Sequence, residues 1–118
     1  MRRKKVLVMD DEEHVRTLYA EELRSIGYDA VLSDGGDDPL ALIDEHKPDL
    51  IILDIRLKNR SGLDVLQIIR CRHGNTLPII LCTAFDSFRL DLKSIAADAY
   101  VVKSYDSSEL MNKVKELV

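Results

Sequence analysis

The stretch Leu50-Ile51-Ile52-Leu53-Asp54 decides the fold, because four consecutive apolar residues end in a carboxylate. A strand that is apolar at every position has no face for solvent, so it belongs inside a sheet that is covered on both sides. This burial is typical of the central strand of a parallel sheet. The sequence therefore predicts an α/β domain in which Asp54 follows the carboxyl end of a central strand.

Short apolar runs alternate with amphipathic segments on both sides of this strand. Four further strands are predicted at residues 6–9, 28–32, 77–82 and 99–102. Five helices are predicted at about residues 12–26, 38–47, 61–74 and 86–96, and from residue 106 onward. Right-handed crossovers between parallel strands give a three-layer, doubly wound sandwich. We expect a single domain over residues 1–118.

Capping residues mark the ends of several predicted helices. Asp38, Ser61 and Asp106 are each predicted to cap the start of a helix, because a short polar side chain can accept a hydrogen bond from the first free amides. Gly27 and Gly74 are predicted to end the first and third helices. These signals support the alternation of strands and helices.

Composition limits the possible partners. The net charge is -4 and aromatic residues make up 5% of the chain, with no Trp, so neither a basic field nor a stacking surface favours nucleic acid. No apolar segment is long enough for a membrane span or a signal peptide. Cys71 and Cys82 form no CxxC pair, and the histidines show no metal-ligand spacing. We expect a cytoplasmic protein with no direct nucleic-acid contact and no membrane insertion.

Polar residues occur where the predicted strands end. Asp10-Asp11-Glu12 follow the first strand, Asp54 follows the third, Thr83 ends the fourth and Lys103 follows the fifth. The carboxyl ends of parallel strands meet at one edge of the sheet, where ligands of α/β folds bind. Several carboxylates in one pocket repel one another, and a hard divalent cation such as Mg²⁺ or Mn²⁺ resolves that conflict.

An Asp beside such a cation can act on a phosphoryl group. Mg²⁺ usually takes one or two protein carboxylates, keeps several waters and shares phosphate oxygens. An Asp carboxylate can also be a nucleophile that forms an aspartyl phosphate. In that arrangement Lys103 offsets negative charge on the phosphoryl oxygens.

Four motifs resemble those of the receiver domain of bacterial response regulators, in order and in spacing. They are Val6-Leu-Val-Met-Asp-Asp-Glu12, Asp49-Leu-Ile-Ile-Leu-Asp54, Ile80-Leu-Cys-Thr-Ala84 and Asp98-Ala-Tyr-Val-Val-Lys103. The resemblance covers essentially the whole chain. It implies a flavodoxin-like sheet of order 2-1-3-4-5 and a role in two-component signal transduction.

The resemblance implies roles for individual residues. Asp54 is the expected phosphoacceptor, and its donor is a sensor histidine kinase or a histidine phosphotransfer protein. Asp11 is expected to bind Mg²⁺ directly, and Asp10 directly or through water. Asp54 and the backbone carbonyl of Arg56 are the other expected metal ligands. Lys103 is expected to contact the phosphoryl group.

The resemblance also implies a conformational switch. Thr83 is expected to hydrogen-bond the phosphoryl group and to move toward it, and Tyr100 to turn inward into the space that Thr83 leaves. Ala84 is small enough to leave access to the phosphoryl oxygens. The expected readout surface is formed by the fourth predicted helix, the fifth strand and the last helix, and it contacts a downstream protein. We expect a monomer or a weak dimer.

The sequence departs from the family pattern in three places. Ser104 stands where the family usually has Pro after the lysine, and we predict a trans bond because cis before a non-proline residue costs about 2.5–4 kcal/mol. Lys58 replaces another common Pro, within a basic loop at residues 56–60 that is either simply solvated or attracts an acidic partner or phosphodonor. The stretch 83–103 is about two residues shorter than usual, so the helix at 86–96 is predicted to be short, displaced or mobile. A bulky Phe85 could hinder the water that hydrolyses the phosphoryl bond.

Three other functions are alternatives to phosphoryl signalling. A dehalogenase-like phosphatase needs a second Asp where Arg56 stands, so self-phosphorylation and autodephosphorylation are the most catalysis we expect. A flavodoxin-like electron carrier needs a phosphate loop after the first strand, where the acidic residues 10–12 would repel phosphate. A degenerate receiver that binds partners without phosphorylation is the remaining alternative, and Ser104 is its only support. Whether the chain works alone or within a longer regulator stays open.

Overall fold

The computed structural model describes residues 3–84, 96–104 and 106–118, and its centre is a parallel sheet. The strands are β1 (Lys5–Met9), β2 (Asp29–Ser33), β3 (Leu50–Leu53), β4 (Ile79–Thr83) and β5 (Ala99–Val102). Their order is β2-β1-β3-β4-β5, and every neighbouring pair is parallel. The predicted doubly wound α/β fold and its strand order are therefore confirmed.

Helices cover both faces of the sheet. The described residues contain α1 (Glu13–Ser25), α2 (Pro39–His46), α3 (Gly62–His73) and α4 (Ser108–Leu117). The helix predicted at residues 86–96, together with its predicted short or mobile character, falls outside the described residues except for Ala96. None of the helices in the described segments is long and apolar enough to cross a membrane.

Two apolar cores lie on opposite faces of the sheet, because side chains alternate along each strand. Leu7 and Met9 of β1 belong to one core, and Val6 and Val8 belong to the other. Helices α2 and α3 cover the first core with Ile43, Val65, Leu66 and Ile69. Helices α1 and α4 cover the second with Tyr19, Leu23, Leu110 and Val114. These two cores fix the sheet as the middle of three layers.

Most of the predicted caps are present. The carboxylate of Asp38 accepts a hydrogen bond from the amide of Leu40, and the hydroxyl of Ser61 accepts one from the amide of Leu63. Gly74 follows α3 with a φ of 60°. Each cap satisfies a backbone group that a helix end leaves free.

The predicted cap of the last helix is wrong by one residue. Helix α4 begins at Ser108, so Ser107 rather than Asp106 is the capping residue, and its side chain makes no capping bond. The hydroxyl of Ser107 donates instead to Glu22 on α1. The Asp106 carboxylate accepts from the amide of Ser108 at 2.9 Å and from its hydroxyl at 2.5 Å, as Asp does in a turn.

The loop predicted at residues 55–60 contains a small antiparallel hairpin, which the sequence did not indicate. Arg56–Leu57 pairs with Arg60–Ser61, and Asn59 at the turn has a φ of 62°. Asn tolerates this left-handed conformation better than most residues. The hairpin connects β3 to α3 directly after Asp54, so it lies beside the candidate site.

The two cysteines differ in access to solvent, which gives a simple chemical prediction. Cys71 is exposed, whereas Cys82 is buried with its sulfur 3.6 Å from the Tyr19 hydroxyl. Burial raises the pKa of the Cys82 thiol to about 11, and the thiolate is the reactive form. We expect iodoacetamide near pH 8 to modify only Cys71 in the folded protein and both residues in urea, as read by intact mass. Equal labelling of both residues in the native protein would contradict this burial.

Candidate functional site

The residues predicted to form the site lie together at the carboxyl edge of the sheet. Asp10 follows β1, Asp54 follows β3, Thr83 ends β4 and Lys103 follows β5. Backbone bonds extend the sheet into the site, since the Asp54 amide donates to the Met9 carbonyl at 2.9 Å and the Lys103 amide to the Thr83 carbonyl at 2.7 Å. The sheet itself therefore sets the spacing of these side chains.

Lys103 bridges the two buried carboxylates of the site. Its Nζ lies 2.7 Å from Oδ2 of Asp10 and 2.9 Å from Oδ2 of Asp54. The two Asp side chains are only 3% and 5% exposed, and the Lys103 side chain is 15% exposed. Among the residues that the structure describes no peptide bond is cis, so the bond between Lys103 and Ser104 is trans, as predicted. The lysine reaches the carboxylates without the proline that usually follows it in the family.

The charges of this cluster influence one another strongly. Burial raises the pKa of the Asp54 carboxyl, and the hydrogen bond from Lys103 opposes that shift without cancelling it. Burial alone would lower the pKa of Lys103, but its bonds to Asp10 and Asp54 outweigh burial and raise it. One ammonium therefore forms ion pairs with two buried carboxylates, and the cluster keeps an excess of negative charge.

A group of oxygen donors adjoins this cluster. Carboxylate oxygens of Asp10, Asp11 and Glu12 lie within 4.8 Å of one another, and the Glu12 amide donates to Oδ1 of Asp10 at 2.9 Å. Asp54 is outside this group of three and is linked to Asp10 through Lys103. Hard oxygen donors with unbalanced negative charge fit Mg²⁺.

Arg56 contributes to the site through its backbone. Its amide donates to Oδ1 of Asp54 at 3.3 Å, while Lys103 holds Oδ2. Both oxygens of the Asp54 carboxylate are therefore oriented by the protein. The Arg56 side chain is exposed at the start of the hairpin.

Gly62 allows the hairpin to close tightly over Asp54. Its amide donates to the Ile55 carbonyl at 2.5 Å. A Cβ added at Gly62 would overlap the carbonyl oxygen of Asp54 and would lie 2.8 Å from its carbonyl carbon and 2.9 Å from Cα of Ile55. The helix predicted over residues 61–74 includes this glycine, but its spacing does not indicate the close approach to Asp54. The available signal was a glycine in a first helical turn, where alanine is intrinsically better.

Thr83 and Tyr100 lie on neighbouring strands at the edge of the site. Thr83 is fully buried at the end of β4. Tyr100 is partly buried, pairs in register with Leu81 and packs against the core that α2 and α3 cover. Ala84 is exposed, and Phe85 lies outside the described residues.

Two further contacts support the site and were not predicted. Nη1 of Arg16 on α1 donates to the backbone carbonyl of Asp10 at 2.6 Å. Behind the site, the Tyr19 hydroxyl contacts the Cys82 sulfur, and burial raises the pKa of Tyr19. Both contacts depend on how α1 packs against the sheet, so sequence spacing alone gave no signal for them.

Comparison with known proteins identifies the family to which this arrangement belongs. The family described as the response regulator receiver domain matches residues 6–115. The chain belongs to this family. It is therefore a receiver domain of two-component systems. The motifs that resemble this family end at the acidic edge of the sheet.

Several solved receivers share this structure. Response regulator TrrA of Thermotoga maritima in complex with Mg²⁺-BeF is 43% identical, with a TM-score of 0.91 over 98% of this chain and 99% of that one. TrrA in complex with histidine kinase ThkA gives 40% identity and a TM-score of 0.83, with 98% of each chain covered. The BeF₃-activated receiver of Klebsiella pneumoniae RstA gives 28% identity and a TM-score of 0.86, with 97% of each chain covered.

Proposed function

We propose that this receiver accepts a phosphoryl group on Asp54 in a Mg²⁺-dependent reaction. The observation that carries the proposal is the geometry of the Asp54 carboxylate, which is buried at a strand end with one oxygen bonded to Lys103 and the other to the Arg56 amide. A nucleophilic oxygen of Asp54 would attack phosphorus while the bond to the leaving group breaks. A carboxylate held in this way needs little reorientation before it reacts.

The donor set around Asp54 fits a divalent cation. We assign Asp10, Asp11, Asp54 and the Arg56 carbonyl as the residues that would hold Mg²⁺, with Glu12 beside them. When bound, Mg²⁺ would neutralise charge on the phosphoryl oxygens. The complex of TrrA with Mg²⁺-BeF supports this assignment, because that receiver is 43% identical over nearly its full length.

Lys103 is proposed to contact the phosphoryl group as well. In the structure its ammonium is shared between Asp10 and Asp54. A phosphoryl group on Asp54 brings new anionic oxygens within reach of the same ammonium, so Lys103 can bind them with a small movement.

The proposed donor is a histidine kinase or a histidine phosphotransfer protein. The complex of TrrA with histidine kinase ThkA supports a kinase partner. Transfer would break the bond from phosphorus to the imidazole nitrogen of the donor and form the bond to Asp54. The receiver would then act at most on its own phosphoryl group, which is lost to water.

A switch through Thr83 and Tyr100 is proposed for the output. Thr83 ends β4 beside the site, and Tyr100 on the neighbouring strand β5 is partly buried against the core that α2 and α3 cover. Phosphorylation biases such a two-state element by adding charge and acceptor oxygens. The output surface would include β5 and α4 and would contact a downstream protein.

The first test is the intact mass of the protein after incubation with acetyl phosphate and Mg²⁺. We expect the wild type to gain one phosphoryl group, and we expect no gain without Mg²⁺ or in Asp54→Asn. Replacing Asp98 with Asn is a matched control, because Asp98 bonds to Arg70 and to the Ile79 amide away from the site. The control variant should still gain the phosphoryl group.

Beryllofluoride binding separates the two candidate functions if no mass gain is seen. A wild type that binds Mg²⁺ and beryllofluoride but gains no mass would be a competent receiver with fast hydrolysis or a selective donor. A wild type that binds neither would be a degenerate receiver, which works through protein contacts without phosphorylation. That second result would overturn the proposed function.

A further inference from the structure

The hairpin beside Asp54 rests on a glycine in another loop. Leu57 of the hairpin is buried, with 6% exposure, in the core that α2 and α3 cover. Gly35, in the loop between β2 and α2, has a φ of 91°, and a Cβ added there would lie 2.6 Å from Cβ of Leu57 and 3.1 Å from each of its methyl groups. Only a glycine lets the two loops approach so closely.

Backbone hydrogen bonds connect this contact to the phosphoacceptor. On one side of Leu57, the Lys58 amide donates to the carbonyl of Asp34 at 3.2 Å. On the other side, the Arg56 amide donates to Oδ1 of Asp54 at 3.3 Å. The buried position of Leu57 therefore constrains its neighbour Arg56, whose amide orients the carboxylate.

We propose that Gly35 is a positioning residue for the phosphoryl-accepting and metal-binding site, acting through Leu57 on the Arg56 peptide. The inference deepens the proposed function and rests on it in one respect, since the Arg56 carbonyl is a proposed metal ligand. A side chain at position 35 would push Leu57 and displace the Arg56 peptide. Both the proposed Mg²⁺ ligand and the hydrogen bond to Asp54 would then move.

The first matched pair of variants is Gly35→Ala and Gly27→Ala. Both glycines have a similar positive φ, 91° and 98°, so alanine is strained at either position. Gly27, at the other end of β2, has nothing within 4 Å of an added Cβ. The pair therefore separates the contact with Leu57 from backbone strain.

In a calorimetric Mg²⁺ titration, we expect Gly35→Ala to bind about 10-fold more weakly than wild type, a typical effect of losing a residue that orients a ligand. Gly27→Ala should bind Mg²⁺ as the wild type does.

The second pair, Leu57→Ala and Leu77→Ala, tests the same path if Gly35→Ala fails to fold. Both leucines belong to the same core and are nearly equally buried, at 6% and 8%. Leu77 precedes β4 at the opposite edge of the sheet. Loss of comparable apolar packing lowers stability in both variants, but only Leu57→Ala should weaken Mg²⁺ binding.

A metal-free readout distinguishes failure of this inference from failure of the proposed function. In ¹⁵N–¹H spectra without Mg²⁺, the Arg56 amide resonance should shift in Gly35→Ala and Leu57→Ala and should stay in place in Gly27→Ala and Leu77→Ala. If the wild type binds no Mg²⁺, the proposed function fails, and the Arg56 amide still decides whether Gly35 positions the peptide. Matched variants with the same Arg56 shift and the same Mg²⁺ affinity would overturn the inference.

Discussion

Replacing Gly62 with alanine is expected to lower the free energy of unfolding by about 3 kcal/mol, at the upper end of ordinary overpacking. The added Cβ would overlap the backbone of Asp54 and lie 2.9 Å from Cα of Ile55. These are main-chain atoms at the end of a buried strand, so they cannot rotate away as a side chain can. Intrinsic helix propensity acts in the opposite direction, since alanine is favoured over glycine in a helix by at most about 1 kcal/mol. The steric effect therefore decides the sign.

Gly36→Ala is the matched control for this prediction. Neither Gly36 nor Gly62 has a positive φ, but a Cβ at Gly36 would meet only side-chain atoms, 3.0 Å from Oδ1 of Asp34 and 3.5 Å from Cδ of Lys58. We expect the control to change stability by no more than about 0.5 kcal/mol, as most surface substitutions do. Urea denaturation of both variants measures the difference. If both variants lost the same small amount of unfolding free energy, the backbone at Asp54 would be able to move away from the added methyl group, and the prediction would be wrong.

The same displacement should weaken the site. Asp54 and Ile55 cannot move away from a larger residue 62 without moving the carboxylate that Lys103 and the Arg56 amide hold. We therefore expect the folded fraction of Gly62→Ala to take up phosphoryl groups more slowly than Gly36→Ala, in the mass assay described above.

The sheet and the location of the site could be predicted because they depend on local patterns. An apolar run such as Leu50–Leu53 can be covered on both faces only inside the sheet, and all four residues are buried. Once the strands are placed, parallel pairing brings Asp10, Asp54, Thr83 and Lys103 to one edge. No knowledge of side-chain contacts is needed for that step.

The contacts within the site could not be predicted in the same way. The sequence indicated that Lys103 is near the carboxylates, but not that its Nζ bonds to Asp10 and Asp54 together. The hairpin has strands of two residues each, too short to show any periodicity. Its closure depends on a close approach between two separate loops at Gly35 and on a close approach to the Asp54 backbone at Gly62, and neither follows from a residue pattern.

The last helix shows that a local signal places a helix end only to within about one residue. Asp106 has the residue type and spacing of a cap, yet α4 begins one residue later than that cap requires. The Ser107 hydroxyl bonds to Glu22 on α1. Glu22 lies 85 residues from Ser107 in the sequence, so a local motif cannot indicate this contact. The ends of helices and strands are also the least certain part of a secondary-structure prediction.

Lys103→Met is expected to destabilise the metal-free protein by about 2–3 kcal/mol, somewhat below the cost of breaking a fully buried ion pair because the lysine is partly exposed. Methionine keeps much of the apolar stem but removes the only cation that the described residues place against both Asp10 and Asp54. Their carboxylates are almost fully buried, so water cannot replace the ammonium well. Loss of the same group should slow phosphoryl uptake by about 100-fold, as removal of one charge-stabilising donor does elsewhere.

The cost of Lys103→Met should depend on pH. Burial already raises the pKa of Asp54, and the hydrogen bond from Lys103 is the strongest influence that opposes it. Without the lysine this pKa rises further above its unfolded value, so folding favours the neutral acid. The loss of stability is then largest at high pH, where the carboxylate must be charged, and it shrinks as the pH falls through the raised pKa.

Two further variants show whether the buried charges cause this loss. Lys113→Met makes the same substitution at an exposed ion pair, where Nζ lies 3.2 Å from Glu116, and it should change stability by no more than about 0.5 kcal/mol. The double variant Lys103→Met with Asp54→Asn removes one of the two unpaired carboxylates, so it should recover part of the stability lost at high pH. A double variant no more stable than Lys103→Met at high pH would contradict this explanation, because neutralising Asp54 would then bring no relief.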